Sequence, residues 1–133
     1  MRMADGPVPE KKPRTCNDWP KLNEEEISER ICQIPTWNLT KEGEIHKLER
    51  RFIAKNFQAA LDFINGAGAI AERRNHHPDL AISGYNKVHI VVFSHGLSGL
   101  TDNDIELCKE IDAEVKIVYS PKWLRENPLA GSS

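Results

Sequence analysis

Of the five histidines in this 133-residue chain, the adjacent pair His76-His77 and the more distant His95 have the type and placement to do chemistry. An imidazole titrates near neutrality, so several in one pocket can divide the roles of proton donor and acceptor. Three together suit a reaction made wholly of proton transfers. Glu72 stands four residues before His76 and so on the same face of a helix, where a carboxylate orients an imidazole and stabilises its charged form. Asp104 opens a later helix and can return to the same loop.

Each of these residues also has a plainer reading. A His-His pair at a helix end serves equally as a C-cap, because imidazolium is favoured there. His95 alone reads as a loop residue. His46 and His89 fall mid-strand, where solvated or core-packed side chains are expected. A zinc site from His76, His77 and His95 is conceivable, but adjacent histidines seldom converge on one ion. Trp37 reads as a packing residue, or as a stacking wall for a flat ligand.

The elements that must position these residues can be read from local signals. Asn23 with Glu26 has the capping-box spacing and starts a helix over about 24–33. Its apolar residues are Ile27, Ile31 and Ile34, and Pro35 ends it. Residues 37–40, a turn over 41–44 and residues 45–53 read as a hairpin whose second strand puts Leu48, Arg50 and Phe52 on one face. From Asn56 a long helix is indicated by Phe57, Ala60, Leu61, Ile64, Ala67, Gly68 and Ala71, with Asn75 as a left-handed terminus before Pro78.

Residues 80–82, a Ser83-Gly84 turn and residues 85–94 give a second hairpin, whose latter strand is apolar on both faces and so central in its sheet. Gly96 and Gly99 predict a flexible loop. Thr101 with Asp104 caps a last helix bearing Ile105, Cys108 and Ile111. Residues 115–119 fit either more helix or a short strand. The order helix, hairpin, helix, hairpin, helix implies an α+β fold, a four-stranded antiparallel sheet with three helices on one face. Its free edges invite self-association. Residues 1–20 are expected as a disordered leader, 21–120 as the folded domain and 121–133 as a flexible tail.

Composition limits the function classes. Hydrophobic residues make up 39% of the chain and charged residues 29%, enough for one core. A net charge of −2 leaves no excess of cations for a phosphate backbone, so no direct nucleic-acid contact is expected. Cys16, Cys32 and Cys108 lack CxxC spacing and read as reduced thiols of a cytoplasmic protein, with the nucleus an alternative location. The longest apolar runs fall far short of the roughly 20 residues a membrane span needs.

The run Glu72-x3-His76-His77-Pro78-x6-Tyr85-x9-His95-x8-Asp104 resembles the signature of the pterin-4a-carbinolamine dehydratase family, seven positions and every gap agreeing at once. The resemblance extends over about residues 23–112, through Thr36-Trp37-Asn38-Leu39, residues 52–57, Tyr85-Asn86-Lys87-Val88 and Gly99-Leu100-Thr101. Asn75 and Leu97 depart from residues common in relatives.

By this resemblance the chain would dehydrate 4a-hydroxytetrahydropterin to quinonoid dihydropterin, recycling tetrahydrobiopterin with no metal or organic cofactor. His76 and His77 would be the acid/base pair and His95 a third imidazole that binds and activates the hydroxyl, with Glu72 and Asp104 as orienting carboxylates. Pro78, Ser94, Gly96 and Leu97 would line the reduced-pterin site beside the histidines, with Trp37 at its border. A homodimer or homotetramer is implied. Relatives also act as dimerisation cofactors of a transcription factor or assist Rubisco assembly, so a protein partner is the alternative function.

Overall fold

The computed structural model describes residues 19–128. Its first helix, α1 (Glu24–Arg30), starts in the expected capping box: Asn23 Oδ1 accepts from Glu26 N at 2.8 Å and Glu26 Oε1 accepts from Asn23 N at 2.9 Å. A 3₁₀ turn (Ile31–Gln33) carries it to the expected end before Pro35.

Strands β1 (Asn38–Glu42) and β2 (Ile45–Ile53) form the first hairpin. β1 runs two residues further than expected, leaving a two-residue loop in which Gly43 takes φ +63°. β3 (Asp79–Ser83) and β4 (Lys87–Val92) form the second. Its strand starts later than the alternation suggested, because Tyr85 sits in the connecting loop at φ +63°. All neighbours are antiparallel in the order β1-β2-β4-β3, so β4 is central as expected.

Register explains how the sheet acquires one buried face. Leu48, Arg50 and Phe52 of β2 stand opposite Val92, Ile90 and Val88 of β4, and all six are buried. α1, α2 (Phe57–Arg74) and α3 (Asp102–Glu114) contribute Ile27, Phe63, Ala67, Ile105 and Ile111 to the same core. Phe52 and Phe63 meet edge to face with centroids 4.9 Å apart. The α+β architecture is therefore the expected one.

Three local expectations need correction. The buried stripe of α2 is Ala60, Phe63, Ala67, Ile70 and Ala71, while Phe57 is exposed and Leu61, Ile64 and Gly68 are half-buried. The two apolar stripes share Ala60, Ala67 and Ala71, so periodicity alone does not choose between them, and the packing of Phe63 against Phe52 goes with the observed phase. The glycine loop after β4 is compact: a 3₁₀ turn (His95–Leu97) is closed by a bridge between Ser94 and Gly99, and a Cβ on Gly99 would lie 2.6 Å from Lys21 Cε.

The third correction concerns the C-terminal stretch. Residues 115–119 are extended, Tyr119 bridges Ala54, and a further helix, α4 (Pro121–Glu126), follows where a tail was expected. Trp123 of α4 stacks on Tyr119 with centroids 5.4 Å apart. Most of the expected leader, and residues 129–133, lie outside the described residues.

Candidate active site

The site begins where α2 ends. Asn75 takes the left-handed conformation (φ 55°), and the N–H groups of Asn75 and His76 both return to α2 carbonyls, His76 N donating to Ala71 O at 3.0 Å. This reversal sends consecutive histidines to opposite sides. His76 turns inward, its side chain 3% exposed, and His77 turns outward at 58%.

Inside, His76 Nε2 forms a short hydrogen bond with Asp104 Oδ1. Asp104 is the third residue of α3 and fully buried, and its other oxygen closes the helix capping box by accepting from Thr101 N at 2.8 Å. Ser94 Oγ donates to that same Oδ2 at 2.8 Å, with Thr101 Oγ1 at 3.4 Å. The amides at the N-terminus of α3 add favourable potential for the carboxylate. One oxygen is thus held by the helix cap and the other by the imidazole.

Outside, His77 Nε2 lies 2.8 Å from Glu72 Oε1. The expected helical pairing of Glu72 with His76 is replaced by this one, because the left-handed Asn75 rotates His76 off the face of α2. His95, 56% exposed, has Nε2 3.9 Å from Asp79 Oδ2 and its ring centroid 4.0 Å from that of Phe93. Each of the three imidazoles therefore has its own carboxylate.

Sheet register brings the two histidine segments together. His76 to Pro78 lead into β3, His95 follows β4, and Asp79 stands opposite Val91, so both segments lie at one end of this strand pair. Pro78 and Leu97 are half-buried and Gly96 exposed on this side. Ser94, expected to line the site, is fully buried with its hydroxyl on Asp104.

Trp37 occupies a different cluster. Its indole N–H donates to Asp112 Oδ1 at 3.0 Å and Oδ2 at 3.1 Å, and Asp112 also receives Thr36 Oγ1 and Arg50 Nη1. Asp112 is eight residues beyond Asp104, about 12 Å further along α3. Among the described residues no group of three or more His, Cys, Asp or Glu has the geometry to hold a metal ion, and no helix is long and apolar enough to cross a membrane.

Sequence reasoning missed Asp79, the contact of the Ser94 hydroxyl with Asp104, and a set of side chains between two helices. Asp79 is the next residue after Pro78, and its proximity to His95 needed only the hairpin register. The Ser94 hydroxyl left no local signal. The third is a brace between α2 and α3: Arg74 donates to Glu110 at 3.0 Å and to Asn103 Oδ1 at 2.8 Å, while Arg73 pairs with Glu110 and with Glu114 at 3.2 Å. Burial pushes the Glu110 carboxyl up, and its hydrogen bonds to Arg73 and Arg74 outweigh that and hold it below its ordinary range.

Residues 20–114 match the family described as pterin 4 alpha carbinolamine dehydratase. The chain is 40% identical over 93 residues to a Rubrobacter xylanophilus protein named "Putative pterin-4-alpha-carbinolamine dehydratase", covering 70% of this chain and 83% of that one. A Nitrosococcus oceani protein of the same name is 38% identical over 97 residues, covering 73% and 85%. Among solved structures, a transcriptional coactivator/pterin dehydratase from Brucella melitensis superposes with a TM-score of 0.63 at 28% identity, covering 73% of this chain and all of that one. A pterin dehydratase-like protein identified as a RuBisCO assembly factor in the alpha-carboxysome shares the fold, with a TM-score of 0.50 at 18% identity over 62% of this chain and 92% of that one.

Proposed function

Because the chain belongs to the pterin 4 alpha carbinolamine dehydratase family, we propose that it dehydrates a 4a-hydroxytetrahydropterin to the quinonoid dihydropterin. The observation that carries this reading is the set of three imidazoles at one end of the β3–β4 pair, each beside a carboxylate and two of them open to solvent.

The reaction needs one proton delivered and one removed. An acid protonates the departing 4a-hydroxyl, the C4a–O bond breaks and water leaves. The N5 lone pair forms the C4a=N5 bond, and a base takes the N5 proton. The net change is loss of one water, so the catalyst exchanges protons with solvent and returns to its starting state. Histidines are suited to both roles at neutral pH.

We assign the two exchanging roles to His77 and His95, because their rings are open enough to meet a substrate. His76 is the inner imidazole, oriented by Asp104 and presenting little surface. This revises the sequence expectation that paired His76 with His77 as acid and base, and burial is the reason. Ser94 becomes a positioning residue that acts through Asp104. Pro78, Gly96 and Leu97 form the rim against which the flat pterin lies.

The test is the decay of 4a-hydroxytetrahydropterin absorbance with purified protein. His77→Ala and His95→Ala each lower kcat/KM on the order of 100-fold, and the double variant loses the remaining acceleration. Unchanged rates in the double variant overturn the reading.

Two further properties enter as proposals. β1 and β3 are the edges of the sheet, and self-association is one way to cover such edges; sedimentation of the purified chain tests for a homo-oligomer. The Brucella melitensis protein is described both as a transcriptional coactivator and as a pterin dehydratase. A second role of that kind here predicts protein binding that survives the double histidine substitution.

A further inference from the structure

Away from the histidines, three stretches of chain meet at Ala54. Ala54 N donates to Asn86 O at 2.8 Å and Asn86 Nδ2 returns to Ala54 O at 3.1 Å; Lys55 N donates to Val118 O at 3.0 Å and Ser120 N to Ile53 O at 2.8 Å. In the antiparallel pairing of Ala54 with Tyr119, Ala54 and Tyr119 point to the core. Lys55 and Val118 therefore stand side by side on the opposite, open face of the sheet, where Ile53 also stands opposite Lys87.

Two observations single out this end of the molecule. Phe57, Tyr85 and Val118 are 49%, 64% and 43% exposed, three of the four large hydrophobic side chains left exposed among the described residues. Tyr85 is held out in the left-handed region (φ 63°), a backbone cost that a non-glycine residue bears only when its surroundings enforce it. The second observation is charge. Residues 51–58, 83–88 and 115–120 contain Arg51, Lys55, Lys87 and Lys116 and no Asp or Glu, in a chain whose net charge is −2. Arg51 pairs with Glu49 at 3.2 Å, whereas Lys55, Lys87 and Lys116 make no ion pair among the described residues.

Part of this surface lies beyond the family domain. Lys116 and Val118 follow residue 114, where the family match ends. The extension is held against the core by Tyr119, whose ring meets Phe52 at 5.5 Å and whose hydroxyl accepts from Arg50 Nη2 at 2.5 Å.

We propose that this end of the molecule, where Lys55 and Val118 share the open face of the sheet with Phe57 and Tyr85 exposed nearby in sequence or pairing, is a docking site for an acidic protein segment bearing apolar side chains. Charge complementarity chooses the occupant: exposed apolar groups give the anchor, and Lys55, Lys87 and Lys116, which have no ion pair among the described residues, attract carboxylates and set register. A phosphate backbone fits less well, because a few lysines on a net-acidic protein neutralise few phosphates. The proposal is independent of the dehydratase reading, since none of the histidines takes part.

The experiment is fluorescence anisotropy with the full chain and three probes: a fluorescein-labelled peptide of alternating Glu and Leu with one Phe, the same peptide with Ser replacing Leu and Phe, and single-stranded oligothymidine. The first peptide binds best. Lys55→Glu with Lys116→Glu weakens it about tenfold, as does Val118→Ser, and the dehydration rate stays the same. Circular dichroism verifies that the variants are folded. No binding of the first peptide, equal binding by the variants, or tighter binding of oligothymidine overturns the proposal.

Discussion

His76 and Asp104 are 28 residues apart in sequence, and the Nε2 of one meets the Oδ1 of the other in the protein interior. Both groups are all but inaccessible to water: His76 has its side-chain hydrogen bond with Asp104, and Asp104 is also bonded by Ser94 and Thr101. Replacing one partner strands the other in a medium that penalises unpaired charge.

Asp104→Asn is expected to destabilise the protein by about 3 kcal/mol, as for other broken buried pairs. Urea unfolding followed by circular dichroism measures this. Dehydration falls with it, because the imidazole loses its anchor.

Ser94→Ala removes one neutral donor from the carboxylate, worth about 1 kcal/mol of stability. The discriminating measurement is kinetic. Because the Ser94 hydroxyl faces Asp104 and not the rim, kcat is expected to drop while KM barely moves, and Ser94→Thr to restore kcat. A raised KM with unchanged kcat would instead put Ser94 in contact with substrate.

The Arg73, Arg74 and Glu110 brace has a pH signature. The Glu110 carboxyl is held below its ordinary 4.5 in the folded chain, so the unfolded chain takes up its proton first as pH falls. The contribution is present above about pH 4.5 and is lost as pH drops through the folded value. Glu110→Gln lacks that contribution at neutral pH, and its stability declines less steeply between neutrality and acid. Unfolding midpoints across that range provide the check.

Cys108 is fully buried, and burial pushes its thiol well above the ordinary 9.0, with Asp104 and Asp112 acting in the same direction. A thiol that does not ionise is a poor nucleophile. In a Cys16→Ser background, Ellman's reagent at neutral pH is expected to titrate the exposed Cys32 at once and Cys108 only after denaturant is added.

What was legible in the sequence was local. Asn23 with Glu26, Thr101 with Asp104 and Asn75 before His76 mark helix ends through contacts within a few residues, and each performs its expected role. The three histidines lie at one end of the β3–β4 pair. The pairing of carboxylates with imidazoles was not legible, because one left-handed residue decides which way His76 and His77 face. The phase of α2 was ambiguous because alanines belong to both of its stripes. α4 did leave a signal in the Ser120 cap and Pro121 at the first helical position, but six residues carry too little periodicity to stand out.

Because Asp104 closes the cap of α3 and grips His76 with the same carboxylate, the inner part of the pocket cannot mature before that helix has nucleated. Joining the end of β4, α3 and the end of α2 at one carboxylate makes this a long-range contact with a loop-closure cost, so it is expected to form after the local hairpins. Amide hydrogen exchange in the first turn of α3 should therefore slow together with recovery of dehydration activity during refolding, while the hairpins gain protection earlier.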